Sequence, residues 1–256
     1  MQKRHKDRRN YFDEQVQTCK KYYLPYSLDY IKNIPCRVME VGCGEGGNLI
    51  PFAEMGCDVI GVDLDALRVQ QAIAFFKERN QNGQFIASDI FKINDQQGGY
   101  SLVLMHDVIE HVDDKLQLLV KLKSFLSTDG VLFVAFPAWQ MPFGGHQQIC
   151  HGKLLSHLPF FHLLPTSMYK CMLKLGREDD NTINELLSIK RTKCSIEHFR
   201  SVVKKAGFQL VNERFYFINP HYEVKFGLTP RRLSRFIASI PYVRNFFSTS
   251  CFYLLK

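Results

Sequence analysis

The chain has 256 residues, 46% of them hydrophobic and 23% charged, with 16 Gly and 10 Pro. That suits one α/β domain with insertions and excludes wholesale disorder. The net charge of +8 is concentrated at the two ends, with five Lys/Arg against one Asp in residues 1–10 and six against none in residues 224–256.

The basic start, MQKRHKDRRN, is followed by polar and aromatic residues, not by the apolar stretch of a signal peptide. Residues 1–35 read as a basic, helical segment ahead of the domain proper. No run approaches the ~18 apolar residues that a membrane-spanning helix requires. The eight cysteines show neither C-x-x-C pairs nor metal-ligand spacing. They read as free thiols of a cytoplasmic protein, peripheral to a membrane at most.

From residue 36 to 136, short β-branched runs alternate with helical stretches, which predicts βαβ units and a parallel sheet. "CRVMEV" is the first strand. A glycine turn and a helix follow, ending near Glu54 with Gly56 as its stop. "CDVIGVD" is the second strand. Asp65 then caps "ALRVQQAIAFFKERN", with Leu67, Ala72, Ala74, Phe75 and Phe76 on its apolar face. "GQFIAS" and "YSLVLM" are the third and fourth strands, "DDKLQLLVKLKSFL" is an amphipathic helix, and "GVLFVAF" is the fifth strand.

After Phe136 the alternation breaks twice. Residues 137–193 are rich in Pro, His and aromatics, before "CSIEHFRSVVKKAGF" resumes as a capped helix and "QLVNERFYFI" as a strand. A second irregular stretch, 220–246, precedes a last apolar run, "SCFYLL". Ligands of open α/β sheets bind beyond the carboxyl ends of the strands, so two late insertions are expected to cap the site.

The glycine turn, "VMEVGCGEGGNLI", fits two templates. Gly42, Gly44 and Gly47 spell G-x-G-x-x-G, the dinucleotide pattern, which is weak evidence alone. Glu40, Gly42, Gly44 and Gly46 spell E-x-G-x-G-x-G, which suits S-adenosylmethionine. A carboxylate at Glu40 opposes a pyrophosphate but suits an ammonium and a sulfonium. Asp63, ending the second strand, can accept both hydroxyls of an adenosine ribose under either reading. Asp89 lies past the third strand, where it can accept the adenine amine, and "LMHDVIEHVDD" follows the fourth strand.

Together these stretches resemble the class I S-adenosylmethionine-dependent methyltransferases, and "HDVIEHV" is similar to the ubiquinone-biosynthesis type acting on small molecules. The resemblance implies a Rossmann-like, seven-stranded, mostly parallel sheet with helices on both faces and an antiparallel last strand. It implies that Glu40, Gly42, Gly44 and Gly46 hold the methionine end, with Asp63 at the ribose and Leu64, Ser88, Asp89 and Ile90 around the adenine. His106 would line the floor beside the sulfur. Asp65 reads as a helix cap, and Glu110 and His111 read as residues at a helix start.

This chemistry needs alignment of nucleophile, carbon and sulfur, and a base where the acceptor is a hydroxyl. No metal is expected. His146, after a Gly-Gly pair, is the leading base candidate over a surface-turn reading, with His106 next and His151, His157 and His221 behind. Trp139, Met141 and Phe143 would wall an apolar pocket. In "TPRRLSRFIASI", Leu233, Phe236, Ile237 and Ile240 recur at helical spacing beside arginines, suiting either a packed helix or one that meets anionic lipid. The expected acceptor is a small or lipid-like hydroxyl compound, with nucleic acid disfavoured. An NAD(P)-dependent oxidoreductase and a non-catalytic cofactor-binding protein of the same fold are the alternatives.

Overall fold

The computed structural model describes residues 7–94 and 98–256, so most of the basic N-terminal run lies outside the described residues. Eight strands among them form one sheet: β1 (Arg37–Val41), β2 (Asp58–Asp63), β3 (Gln84–Ala87), β4 (Tyr100–His106), β5 (Leu126–Phe136), β6 (Leu210–Ile218), β7 (Arg231–Arg232) and β8 (Ser250–Leu255). Their order is β3-β2-β1-β4-β5-β8-β6-β7. β1 to β5 pair in parallel, and β8 lies antiparallel between β5 and β6. The eighth strand beyond the expected seven is β7, a two-residue edge piece held on β6.

The helices are α1 (Arg8–Thr18), α2 (Leu24–Leu28), α3 (Ile50–Glu54), α4 (Ala66–Glu78), α5 (Lys115–Phe125), α6 (Lys153–His157), α7 (Thr166–Leu175), α8 (Asp180–Thr192), α9 (Ile196–Lys205), α10 (His221–Phe226), α11 (Arg235–Ser239) and α12 (Val243–Phe247). None of the described helices is long and apolar enough to cross a membrane.

β5 shows how the sheet is built. From Val131 to Phe136 every residue is fully buried. Val131, Phe133 and Ala135 join the core beneath the N-terminal helices, with Phe12, Tyr23 and Phe52. Leu132, Val134 and Phe136 join the opposite core under α5 and α9, with Leu122, Phe199 and Val202. This is the two-residue period of a strand covered on both faces, each large side chain contributing roughly 1.5–3 kcal/mol by burial.

Asp65 caps α4 as expected, accepting from the Leu67 and Arg68 amides at 2.9 and 3.3 Å. The buried face differs from the expected one. Val69, Ala72 and Phe76 are buried, while Leu67 is 70% exposed and Ala74 also faces solvent. In α5, Leu118, Leu119, Leu122 and Phe125 are buried, whereas Leu116 and Val120 point outward.

The first insertion carries its own small core, in which Leu155, Phe161, Tyr169, Leu173, Ile183 and Leu186 are buried together. The second does not form the long helix that Leu233, Phe236, Ile237 and Ile240 suggest. Ser234 caps a helix of only five residues, leaving Leu233 outside it, buried in the sheet core, and Phe236 at 77% exposure. Arg244, one of the basic residues of this end of the chain, is buried and donates to Glu197 at 3.0 Å.

Candidate active site

The carboxyl ends of β1 and β4 meet where the strand order turns from β1-β2-β3 to β4-β5, the place where open α/β sheets leave a crevice. The glycine turn follows β1 there. Gly42, Gly44 and Gly46 all take positive φ, at +72°, +53° and +80°, where side-chain-bearing residues are strained. Their surroundings differ. A Cβ on Gly42 would meet Val108 at 2.2 Å and one on Gly46 would meet Phe85 at 2.8 Å, while one on Gly44 would enter open space. Gly47 serves packing, since a Cβ there would lie 2.5 Å from the Phe12 carbonyl of α1.

Glu40, the penultimate residue of β1, lies beside this turn and is 1% exposed. Asn48 donates to its Oε1 at 2.7 Å, and Oε2 has no partner among the described residues. Burial outweighs that hydrogen bond and, with the charge of Asp63, pushes Glu40 up to about 8. Asp63 receives the Gly44 amide on Oδ2 at 2.8 Å and the Asp65 amide on Oδ1 at 2.9 Å. Each oxygen keeps a further lone pair. The Ser88 amide bonds the Asp63 carbonyl at 2.9 Å, bringing the ends of β2 and β3 together. Asp89 caps a short turn by accepting from the Phe91 amide at 3.0 Å, Ile90 is buried, and Leu64 is 77% exposed.

A cavity of about 170 Å³ adjoins the turn through Asn48, His106 and Asp107. Its other walls come from Tyr11, Gln15, Thr18 and Tyr23 of the N-terminal segment, from residues between Pro137 and Ile149 of the first insertion, from Asn219 and the His221, Tyr222 and Lys225 that follow it in the second, and from Thr249. The N-terminal contribution was invisible to motif reading, because those residues belong to no pattern. The only hint is the density of tyrosine from Tyr11 to Tyr30.

His106 closes β4 with its Nε2 2.9 Å from the Tyr23 hydroxyl and 3.5 Å from Asp107. Burial lowers its pKa and favours the neutral ring, in which the tautomer sets whether Nε2 or the Tyr23 hydroxyl donates. His221 also lines the cavity, with Nδ1 2.9 Å from the Thr18 hydroxyl and Nε2 3.5 Å from Glu14.

His146 takes a left-handed φ of +56°, an uncommon conformation for a residue with a side chain. Its Nε2 lies 3.9 Å from Glu110, and its ring packs edge-on to His111 with centroids 5.1 Å apart. Glu110 and His111 do lie in a short 3-10 helix, Ile109–His111, but Glu110 is not a solvated side chain. It is 3% exposed, neither carboxylate oxygen has a hydrogen-bond partner among the described residues, and burial raises its pKa well above the usual range. Burial lowers the pKa of His111. The turn is anchored from the first insertion, where the Thr192 hydroxyl donates to the Glu110 carbonyl at 2.5 Å and Lys115 donates to the Thr192 and Val112 carbonyls.

Donor atoms of Glu110, His111 and His146 lie within 4.8 Å of one another, a set able to hold a divalent cation, which the expectation of no metal did not foresee. Their sequence signal was the run "HDVIEHV", but His146 joins it only through the fold.

Other expected pocket residues are placed differently. Met141 and Phe143 line the cavity, but Trp139 packs against His162, whose Nε2 bonds the Trp139 carbonyl at 2.7 Å. His151 pairs with Glu178 and Asp179, and His157 bonds the Lys153 carbonyl, both away from this cavity.

A family model for a methyltransferase domain matches residues 7–213. The ubiquinone biosynthesis O-methyltransferase of Chelativorans sp. (strain BNC1) is 29% identical over 99 residues, 39% of this chain and 39% of that protein. The enzyme of the same name from Bartonella bacilliformis is 22% identical over 192 residues, 65% of this chain and 77% of that protein. Among solved structures, magnesium protoporphyrin IX methyltransferase from Synechocystis PCC 6803, with bound SAH, superimposes with a TM-score of 0.56 at 18% identity, covering 94% of this chain and 82% of that one. The last likeness shows the fold, and the family match covers most of the chain. The chain belongs to the methyltransferase-domain family, within the class I S-adenosylmethionine-dependent methyltransferases.

Proposed function

We propose that the protein transfers a methyl group from S-adenosylmethionine to a hydroxyl of a small or lipid-like acceptor. The observation that carries the cofactor side is the pairing of an orphaned, buried Glu40 oxygen with open space at Gly44, the one glycine of the turn with no neighbour in reach of a Cβ. A cationic ligand is favoured beside a carboxylate that would otherwise stay protonated in the dry interior. Asp63 retains acceptor capacity for ribose hydroxyls, and Leu64, Ser88, Asp89 and Ile90 stand at the ends of β2 and β3, around the expected adenine position. A pyrophosphate would meet the same carboxylate, which disfavours the dinucleotide reading.

S-adenosylmethionine when bound supplies an activated methyl on a sulfonium. The protein's own part is to align an acceptor oxygen, exclude water and take its proton. His146 faces the cavity, and a base there can pass the acceptor proton to solvent. His106, engaged by Tyr23, suits a wall and positioning role better than proton removal. The two insertions and α1 then roof the acceptor.

The reading is tested by incubating the protein with S-adenosylmethionine labelled in the methyl group and an organic-solvent extract of cells. Label is expected to enter extractable product with the wild type. Asp63→Ala is expected to weaken cofactor binding by about tenfold or more in calorimetry, the value of lost hydrogen bonds to a charged group. Unchanged affinity in that variant would sink the ribose assignment.

A further inference from the structure

Tyr216, near the end of β6, pairs with Ser250 at the start of β8, and Cys251 pairs with Phe136 at the end of β5. The chain between β6 and β8 therefore leaves and rejoins the sheet at the carboxyl ends of its parallel strands, the end that carries the reaction cavity. Thr249, the last residue of this stretch, lines that cavity. Leu233 and Ile237 fix α11 to the sheet core, yet Phe236 and Tyr242 remain 77% and 68% exposed. Phe217 of β6 and Phe246 and Phe247 of α12 are exposed too. Phe160 of the first insertion, also exposed, extends the surface with its ring 6.3 Å from that of Phe246. So many large rings left in water within one stretch mark a contact surface.

The same stretch is positive. Arg231 and Arg232 of β7 and Arg235 of α11 are exposed, and none of the three has a hydrogen bond or ion pair among the described residues. Residues 224–256 contain no acid. The acids of neighbouring elements are already engaged: Glu197 by Arg244, Glu213 by Arg200, and Glu223 by Tyr22 and Lys21. The three arginines thus set the sign of the field on this surface.

We propose that β7, α11 and α12 seat the protein on an anionic lipid bilayer, with the exposed rings in the interfacial layer and Arg231, Arg232 and Arg235 at the headgroups. A bilayer surface answers both halves of the patch, apolar depth for the rings and negative charge for the arginines. A second copy packed on it about a two-fold axis would set these arginines against themselves with no acid between them. Docking places the cavity end of the sheet at the lipid, whichever molecule accepts the methyl group.

The test is co-sedimentation of the full chain with vesicles of phosphatidylcholine alone, or of equimolar phosphatidylcholine and phosphatidylglycerol, at low and high salt. Wild-type protein is expected to prefer the anionic vesicles by about fivefold for each arginine, on the order of 100-fold in all at low salt, and by less at high salt. Changing Arg231, Arg232 and Arg235 together to Gln is expected to remove most of that preference. Phe236→Ser is expected to weaken binding to the anionic vesicles about tenfold. Ile73→Ala, an exposed position on α4 beside β3 at the opposite edge of the sheet, should bind as the wild type does. All three variants should unfold at the wild-type temperature, which separates lost docking from lost folding. No binding to anionic vesicles, equal binding to neutral ones, or binding that the arginine and Phe236 variants retain overturns the proposal. So does wild-type protein that ignores vesicles but holds a single-stranded oligonucleotide through the arginines, or pairs with itself through Phe236.

Discussion

Glu40→Gln is expected to weaken S-adenosylmethionine binding by about 30-fold or more at pH 8, the cost of removing one partner from a buried charge pair. The fold should survive, because glutamine still offers Asn48 an acceptor oxygen in place of the one it bonds at 2.7 Å. The pH dependence is the sharper sign. In the cofactor-free protein burial holds the Glu40 proton up to about pH 8, whereas the unfolded chain releases it near 4.5. A folded pKa raised in this way contributes stability that is complete below about 4.5 and is lost as pH rises toward 8. Cofactor binding needs the ionised form, so wild-type affinity should rise about tenfold per pH unit from pH 6 to pH 8 and then level, with a proton released on binding. The variant should show a flat profile. Calorimetry in buffers of different ionisation enthalpy reads both quantities, and a wild-type profile as flat as the variant's would remove Glu40 from the cofactor site.

His146→Gln is expected to lower turnover by about 10²- to 10⁴-fold while cofactor affinity stays within about twofold, the separation expected of a group that acts on the acceptor proton. The cluster with Glu110 and His111 gives this prediction a second edge. If a divalent cation sits on those three side chains, His146 is a ligand and no longer a base. Base action predicts a rate that is indifferent to a chelator and an acidic limb of the pH profile that His146 sets. Ligand action predicts loss of turnover with the chelator and recovery with added metal. The left-handed backbone at His146 persists because the surroundings hold it in place, which fixes the ring beside Glu110 in either role.

The contrast between what the chain's pattern reveals and what it hides has a physical cause. The parallel strands read cleanly because burial on both faces leaves continuous apolar runs, as in "GVLFVAF", and because Asp65, Ser195 and Asp114 cap helices by local chemistry. Local amphipathic reading failed at Leu67, which is apolar yet exposed because α4 turns Val69, Ala72 and Phe76 inward instead. The glycine turn was legible as a cradle, and the charge of Glu40 separated its two templates, but the roles of the individual glycines show only in three dimensions. There Gly47 packs on α1 while Gly44 faces open space. Glu110 is the helix-start residue expected, but its contact with His146 was hidden, because nothing in "HDVIEHV" says that a loop 36 residues later will lie beside it. The N-terminal walls, Tyr11, Thr18 and Tyr23, were hidden for the same reason, since their partners His221 and His106 are distant in sequence.

The most direct test of the cofactor cradle is a titration of the wild-type protein with S-adenosylmethionine and, separately, with NADH, at pH 8. One molecule of S-adenosylmethionine should bind per chain with release of a proton, and NADH should give no saturable signal. Saturable binding of NADH with none of S-adenosylmethionine would contradict the assignment of Glu40 and Gly44 to a cationic ligand.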